Sequence, residues 1–137
     1  MKKDIENRVD IDRLMTEFYS KAMADEKIGY IFTDVAKLDL AHHLPIIGDF
    51  WETLLFRSGD YSRHGRNPIE VHRKLDQMTS LLPEHFERWL KVFAETIDGL
   101  FEGDMADFAK ARSMAIARRM LESFGKGEVI AITYGDV

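Results

Sequence analysis

Phe86, Trp89, Leu90, Phe93, Ile97, Leu100 and Phe101 recur at three- and four-residue steps between Pro83 and Gly103. That spacing brings a side chain back to one face of an α-helix on every turn, so it predicts a long helix with a single apolar stripe. The same period runs through most of the chain. Ile11, Leu14, Met15, Phe18, Tyr19, Ala22 and Met23 predict a first helix from about Asp10 to Ala24, with Asp10 as its N-cap. Leu40, His43, Leu44, Ile47, Trp51 and Leu54, with Phe50 beside them, predict a second from about Leu38 to Arg57. Pro45 falls inside that helix, lacks an N–H, and carries a ring that clashes with the preceding turn. The regular helix therefore starts close to His42 or is kinked near Ala41.

Asn67, Pro68 and Glu70 spell a helix start: a capping side chain, a proline at the first position and a carboxylate at the third, as in a capping box. Val71, His72, Leu75 and Met78 form the apolar side of the short helix that follows. Asp104 is placed to cap a last helix that reaches about Phe124 and stops at Gly125. The segment "DEKIGYIF" reads as a short turn and helix. "RSGDYSRHGRN" reads as a loop, and "EVIAITYGDV" as a short strand or a disordered tail. The prediction is an all-α chain of five main helices, which bury their stripes only against each other. It reads as one domain over residues 1–137, with its core at about 10–124 and a tail at 125–137.

The formal charge of −5 removes the basic footprint that non-specific nucleic-acid binding needs. Cysteine is absent, so disulfides, thiolate metal sites and a cysteine nucleophile are all excluded. The opening "MKKDIENRVDIDRL" has no apolar core of a secretory signal, and no apolar run is long enough to span a bilayer. The expectation is a cytoplasmic protein, monomeric or weakly dimeric, without membrane or nucleic-acid partners.

Four polar-tipped side chains sit on apolar stripes: Tyr19, His43, His72 and Trp89. Each belongs to a different helix. A hydroxyl, an imidazole or an indole N–H brought into a core needs a hydrogen-bond partner or a ligand. One such residue is ordinary core. Four of them converging describe an apolar cavity with a few polar groups, which is what a cofactor site requires. The short helix carrying His72 buries little by itself and is suited to presenting one imidazole to an iron.

At this point the chain resembles a truncated haemoglobin, most closely the third group. The matching segments run in order: "FYSKAMADEKIGYIF", "HHLPIIGDFW", "GDY", "NPIEVH" and "FERWL". They cover nearly all of residues 10–124. The glycine-pair motifs of the other two groups do not occur. The resemblance implies a compact globin-like two-over-two helical sandwich around haem b. It makes His72 the proximal iron ligand and places Tyr19, His43 and Trp89 on the distal side. Phe32 matches the phenylalanine that packs on the haem, and Ile47 closes the distal pocket. Leu75 lies beside the cofactor. Tyr61, Arg63, His64, Arg66 and Arg73 are near enough in sequence to His72 to meet the propionates, although most of them read better as a solvated loop.

A five-coordinate haem iron implies dioxygen, nitric oxide or another small diatomic as ligand. Tyr19 and Trp89 each bring a donor to the charge on such a ligand, and two donors slow its release. Slow release suits scavenging, nitric oxide detoxification or peroxidase-like redox chemistry better than transport. Turnover needs an unidentified electron donor, because the chain has no flavin or nicotinamide motif. His43 reads as a gate at the pocket mouth, with a pKa near neutrality unless the pocket moves it. Two other classes compete. One is a haem-free helical sensor or interaction module whose polar tips pair internally. The other is a non-haem metal protein, disfavoured because none of His42, His43, His64, His72 and His85 are spaced i, i+4.

Overall fold

The structure is a computed structural model that describes residues 1–59 and 61–125. The segment 128–137, expected as a strand or a disordered tail, lies outside the described residues. Among the described residues five α-helices form, in chain order α1 Arg8–Met23, α2 Leu40–Phe56, α3 Pro68–Met78, α4 Pro83–Leu100 and α5 Asp104–Ser123. No strand occurs among the described residues. Helix α1 packs on α2 and α4 on α5, and the two pairs meet through α1 with α4 and α2 with α5. This is the two-over-two sandwich. Among the described residues no helix is long and apolar enough to cross a membrane.

Phe93 of α4 sits at the centre, fully buried. Its ring stacks on Trp51 of α2 at 5.1 Å and on Trp89 at 4.9 Å, and Phe18 of α1 meets it edge-on at 5.2 Å. The stripes of α1, α2 and α4 thus converge on one aromatic cluster. Burying such rings is the main source of stability in a fold of this size.

Two helix starts differ from the sequence expectation, each for a local reason. Helix α1 begins at Arg8, and its cap is Asn7, whose side chain accepts from the backbone N–H of Asp10. Asp10 is instead buried and accepts from Glu6 N at 2.8 Å and from the Lys3 ammonium. At α5, Asp104 is the first helical residue rather than the cap. The cap is supplied from the far end of the chain: Asp4 accepts from Met105 N and Ala106 N, both at 2.9 Å. Gly103, at φ +145°, makes room, since a Cβ there would lie 2.5 Å from Asp4 Cγ.

Helix α2 starts at Leu40, two residues before His42, with Asp39 as its cap and Pro45 inside it. The Pro45 carbonyl accepts from Arg8 Nη2 at 3.2 Å. Between α1 and α2, residues Ile31–Val35 form a wide π-helical turn. The stretch expected as plain loop before α3 contains a 3₁₀ turn, Tyr61–His64. Helix α3 itself buries no side chain completely and packs on α5. The cap of α3 is as expected, with Asn67 Oδ1 accepting from Ile69 N at 3.0 Å. Glu70 does not complete a capping box, because its carboxylate pairs with Arg73 at 3.2 Å.

Candidate functional site

A cavity of about 370 Å³ lies between the two helix pairs, within the usual range for a cofactor pocket. Tyr19 of α1, Phe32 of the π turn, and His43 and Ile47 of α2 line it. So do Tyr61 of the 3₁₀ turn, His72 and Leu75 of α3, and Trp89 of α4. Of the twelve residues named for the cofactor site from the sequence, nine, Arg66 among them, therefore surround one space. Arg63 and His64 do not line it, and neither does Arg73. Its guanidinium donates to Ser123 Oγ at 2.6 Å and Ser123 O at 3.2 Å, and lies over the Phe124 ring at 5.4 Å. It ties α3 to the end of α5.

His72 owes its orientation to the start of its own helix. Its Nδ1 donates to the Pro68 carbonyl one turn back at 2.7 Å. That bond places the ring proton on Nδ1 and leaves Nε2 with a free lone pair, the state in which an imidazole binds a metal. Burial lowers the His72 pKa, the Pro68 bond opposes this, and the Arg66 charge adds to the lowering. The ring therefore stays neutral. Among the described residues Nε2 has no partner.

On α1 and α2, Tyr19 Oη and His43 Nε2 are 2.9 Å apart, with their rings edge to face. Phe32 meets the Tyr19 ring at 5.9 Å. Burial raises the Tyr19 pKa well above the ordinary phenol value, so its proton stays on Oη. Burial also lowers the His43 pKa to about 4, helped by the charge of Arg66 and the neighbouring His72 and His42. His43 is thus neutral at pH 7, and the neutral-pH gate expected from the sequence does not survive in this pocket. On α4, Trp89 is held by stacking on Phe93 and by the Phe18 edge at 5.0 Å. Among the described residues its indole N–H has no hydrogen-bond partner.

Two residues at the rim were missed or underweighted by sequence reasoning. Arg66, named from the sequence among the propionate candidates but read more readily as part of a solvated loop, lines the cavity half-buried and has no ion-pair partner among the described residues. Its charge lowers the pKa of Tyr19, His43, Tyr61 and His72 alike. His85 also lines the cavity, while its Nδ1 accepts from Leu82 N at 3.0 Å at the start of α4. Arg63 and His64 point elsewhere, to Asp49 of α2 at 2.9 and 2.8 Å.

No family model matches the chain. It is, however, 30% identical over 131 residues to the group 3 truncated hemoglobin ctb of Campylobacter jejuni, an alignment covering 91% of this chain and 98% of that protein. The chain belongs to the group 3 truncated haemoglobins. The crystal structure of group III truncated hemoglobin from Campylobacter jejuni is 29% identical and superposes with a TM-score of 0.77, over 90% of this chain and 95% of that one. Membership in this globin family implies a haem cofactor. The cavity of this truncated haemoglobin fits such a group on three counts. Its walls are mainly apolar, a neutral imidazole offers a free Nε2, and an unpaired guanidinium stands at the rim for carboxylates. Among the described residues no set of three or more histidine, aspartate or glutamate side chains gathers to hold a metal ion.

Proposed function

We propose that this chain is a cytoplasmic single-domain globin that holds haem b through His72 and binds dioxygen, nitric oxide or another small diatomic under Tyr19, His43 and Trp89. The observation that carries this reading is the His72–Pro68 bond, which presents a neutral, lone-pair-bearing nitrogen in an apolar cavity. When bound, haem would supply an iron able to take up a small diatomic ligand. Phe32, Ile47 and Leu75 give it apolar walls and exclude water. Tyr61 and Arg66 would partner its carboxylates; of the candidates near His72 in sequence these two line the cavity, and Arg73 does not.

The chain's own donors set how long a ligand is held. Tyr19 keeps its proton at Oη, and Trp89 Nε1 can only donate. Neutral His43 either accepts from the Tyr19 hydroxyl or, protonated on Nε2, donates to it. In the second arrangement the phenolic proton is free to point into the cavity. A ligand bearing negative charge selects that arrangement, because it alone offers the Tyr19 proton. Each donor contributes on the order of 1 kcal/mol, and more toward a charged acceptor. Two of them favour slow release, which supports scavenging or redox turnover fed by an external electron donor over transport.

In a haem-free sensor the polar tips would pair internally. Tyr19 and His43 do pair, but among the described residues the Trp89 N–H and His72 Nε2 have no partner, which counts against that reading. Reconstitution with haemin tests the proposal. A Soret band that shifts under carbon monoxide supports it, and a chain that takes up no haem removes it.

A further inference from the structure

Asp49 of α2 is a buried carboxylate that the ligand chemistry above does not use. Its Oδ2 accepts from Arg63 Nη2 at 2.9 Å and from His64 Nε2 at 2.8 Å. Its Oδ1 accepts from Arg8 Nη1 at 2.6 Å, across Gly48, where a Cβ would lie 2.6 Å from the Arg8 guanidinium. One turn along, Thr53 Oγ1 accepts from Tyr61 N at 3.3 Å and Phe50 meets the Tyr61 ring edge-on at 5.1 Å. A single stretch of α2 thus ties down the whole 3₁₀ turn. That turn lies between Gly59 at φ +93° and Gly65 at φ +60°, backbone settings that strongly favour glycine. Tyr61 begins the turn and Arg66 follows Gly65, and both line the cavity. Among the described residues Arg66 has no partner to fix it, so its placement depends on the segment that carries it.

We propose that Asp49 is a positioning residue for the cofactor: through Arg63 and His64 it latches the Tyr61–Arg66 segment against the cavity and so limits cofactor loss. This rests on the haem reading above. Tyr61 and Arg66 form the polar rim, and the two glycines let the segment lift as a unit once its tethers are cut. Arg8 keeps the Asp49 charge compensated when they are, so the latch can be opened without stranding a buried carboxylate.

The test compares the wild-type chain with Arg63→Ala/His64→Ala. In the apo-protein, amide hydrogen exchange over residues 61–66 should quicken about tenfold, while α1 and α4 and the helical melting curve stay as in wild type. In the haem-loaded protein, transfer of haem to an excess of an apo-globin acceptor should also quicken about tenfold. Arg63→Ala with His64→Gln, which restores an N–H near the position of Nε2, should recover most of both effects. Unchanged exchange in the segment overturns the latch. Faster exchange with unchanged haem transfer overturns its role toward the cofactor. A wild-type chain that takes up no haem overturns the functional reading and with it the role of Asp49, whatever the exchange data show.

Discussion

Tyr19 Oη and His43 Nε2 are 2.9 Å apart, so the two residues proposed for the ligand side share one hydrogen bond and act as a pair. Tyr19→Phe removes the proton offered to a ligand, and dissociation of dioxygen should quicken roughly five- to tenfold. His43→Leu removes only the group that orients that proton and should have a smaller effect of the same sign. The double variant should match Tyr19→Phe alone, so the coupling in a double-mutant cycle should equal the whole His43→Leu effect, below about 1 kcal/mol. Stopped-flow displacement by carbon monoxide measures all three. Strictly additive effects would show that the two residues act on the ligand separately.

The same pair fixes a pH dependence. An unfolded histidine titrates near 6.5, whereas burial and the Arg66 charge bring His43 to about 4 in the folded chain. Between those values the unfolded chain binds more protons, so the His43 contribution to stability is complete above pH 6.5 and declines as pH falls toward 4. Ligand release should therefore show no His43 transition between pH 5.5 and 8. An NMR titration of the His43 ring, alone and with Arg66→Met, checks this. The midpoint should lie near 4 and rise in the variant. A wild-type midpoint near 6.5 would restore the neutral-pH gate.

His72 and its short helix could be read from the sequence because the signals are local. Asn67 caps, Pro68 takes the first turn, and His72 falls one turn on, where the Pro68 carbonyl receives its Nδ1 proton. The aromatic cluster was legible for a similar reason, since each stripe has only one face to bury. The pairings between helices were not. Nothing in the spacing says that Tyr19 meets His43, that Asp49 gathers Arg8, Arg63 and His64, or that Asp4 caps a helix a hundred positions later. Arg73 and Arg66 flank His72 in sequence, yet helical phase turns Arg73 toward Ser123 and Phe124. Arg66, outside the helix, is left at the cavity.

Trp89 separates packing from hydrogen bonding. Its ring stacks on Phe93 at 4.9 Å, and a phenylalanine in its place keeps much of that contact while losing the N–H. Trp89→Phe should quicken ligand release several-fold, consistent with about 1 kcal/mol for one donor. An unchanged dissociation rate, in a variant shown by circular dichroism to be folded, would mean that the indole N–H does not reach the ligand.

Phe93 provides the stability counterpart. It is fully buried and touches Phe18, Trp51 and Trp89. Phe93→Ala should cost about 3–5 kcal/mol in urea unfolding of the apo-protein. A loss below about 1 kcal/mol would show that the cluster collapses around the gap.

The most direct measurement is haemin titration of the apo-protein, wild type against His72→Gly, followed at the Soret band and repeated with added imidazole. The account predicts stoichiometric uptake by the wild type, weak or altered binding by His72→Gly, and recovery with imidazole, because free imidazole replaces the nitrogen that the Pro68 bond leaves bare. Identical uptake and spectra in the two proteins would contradict it.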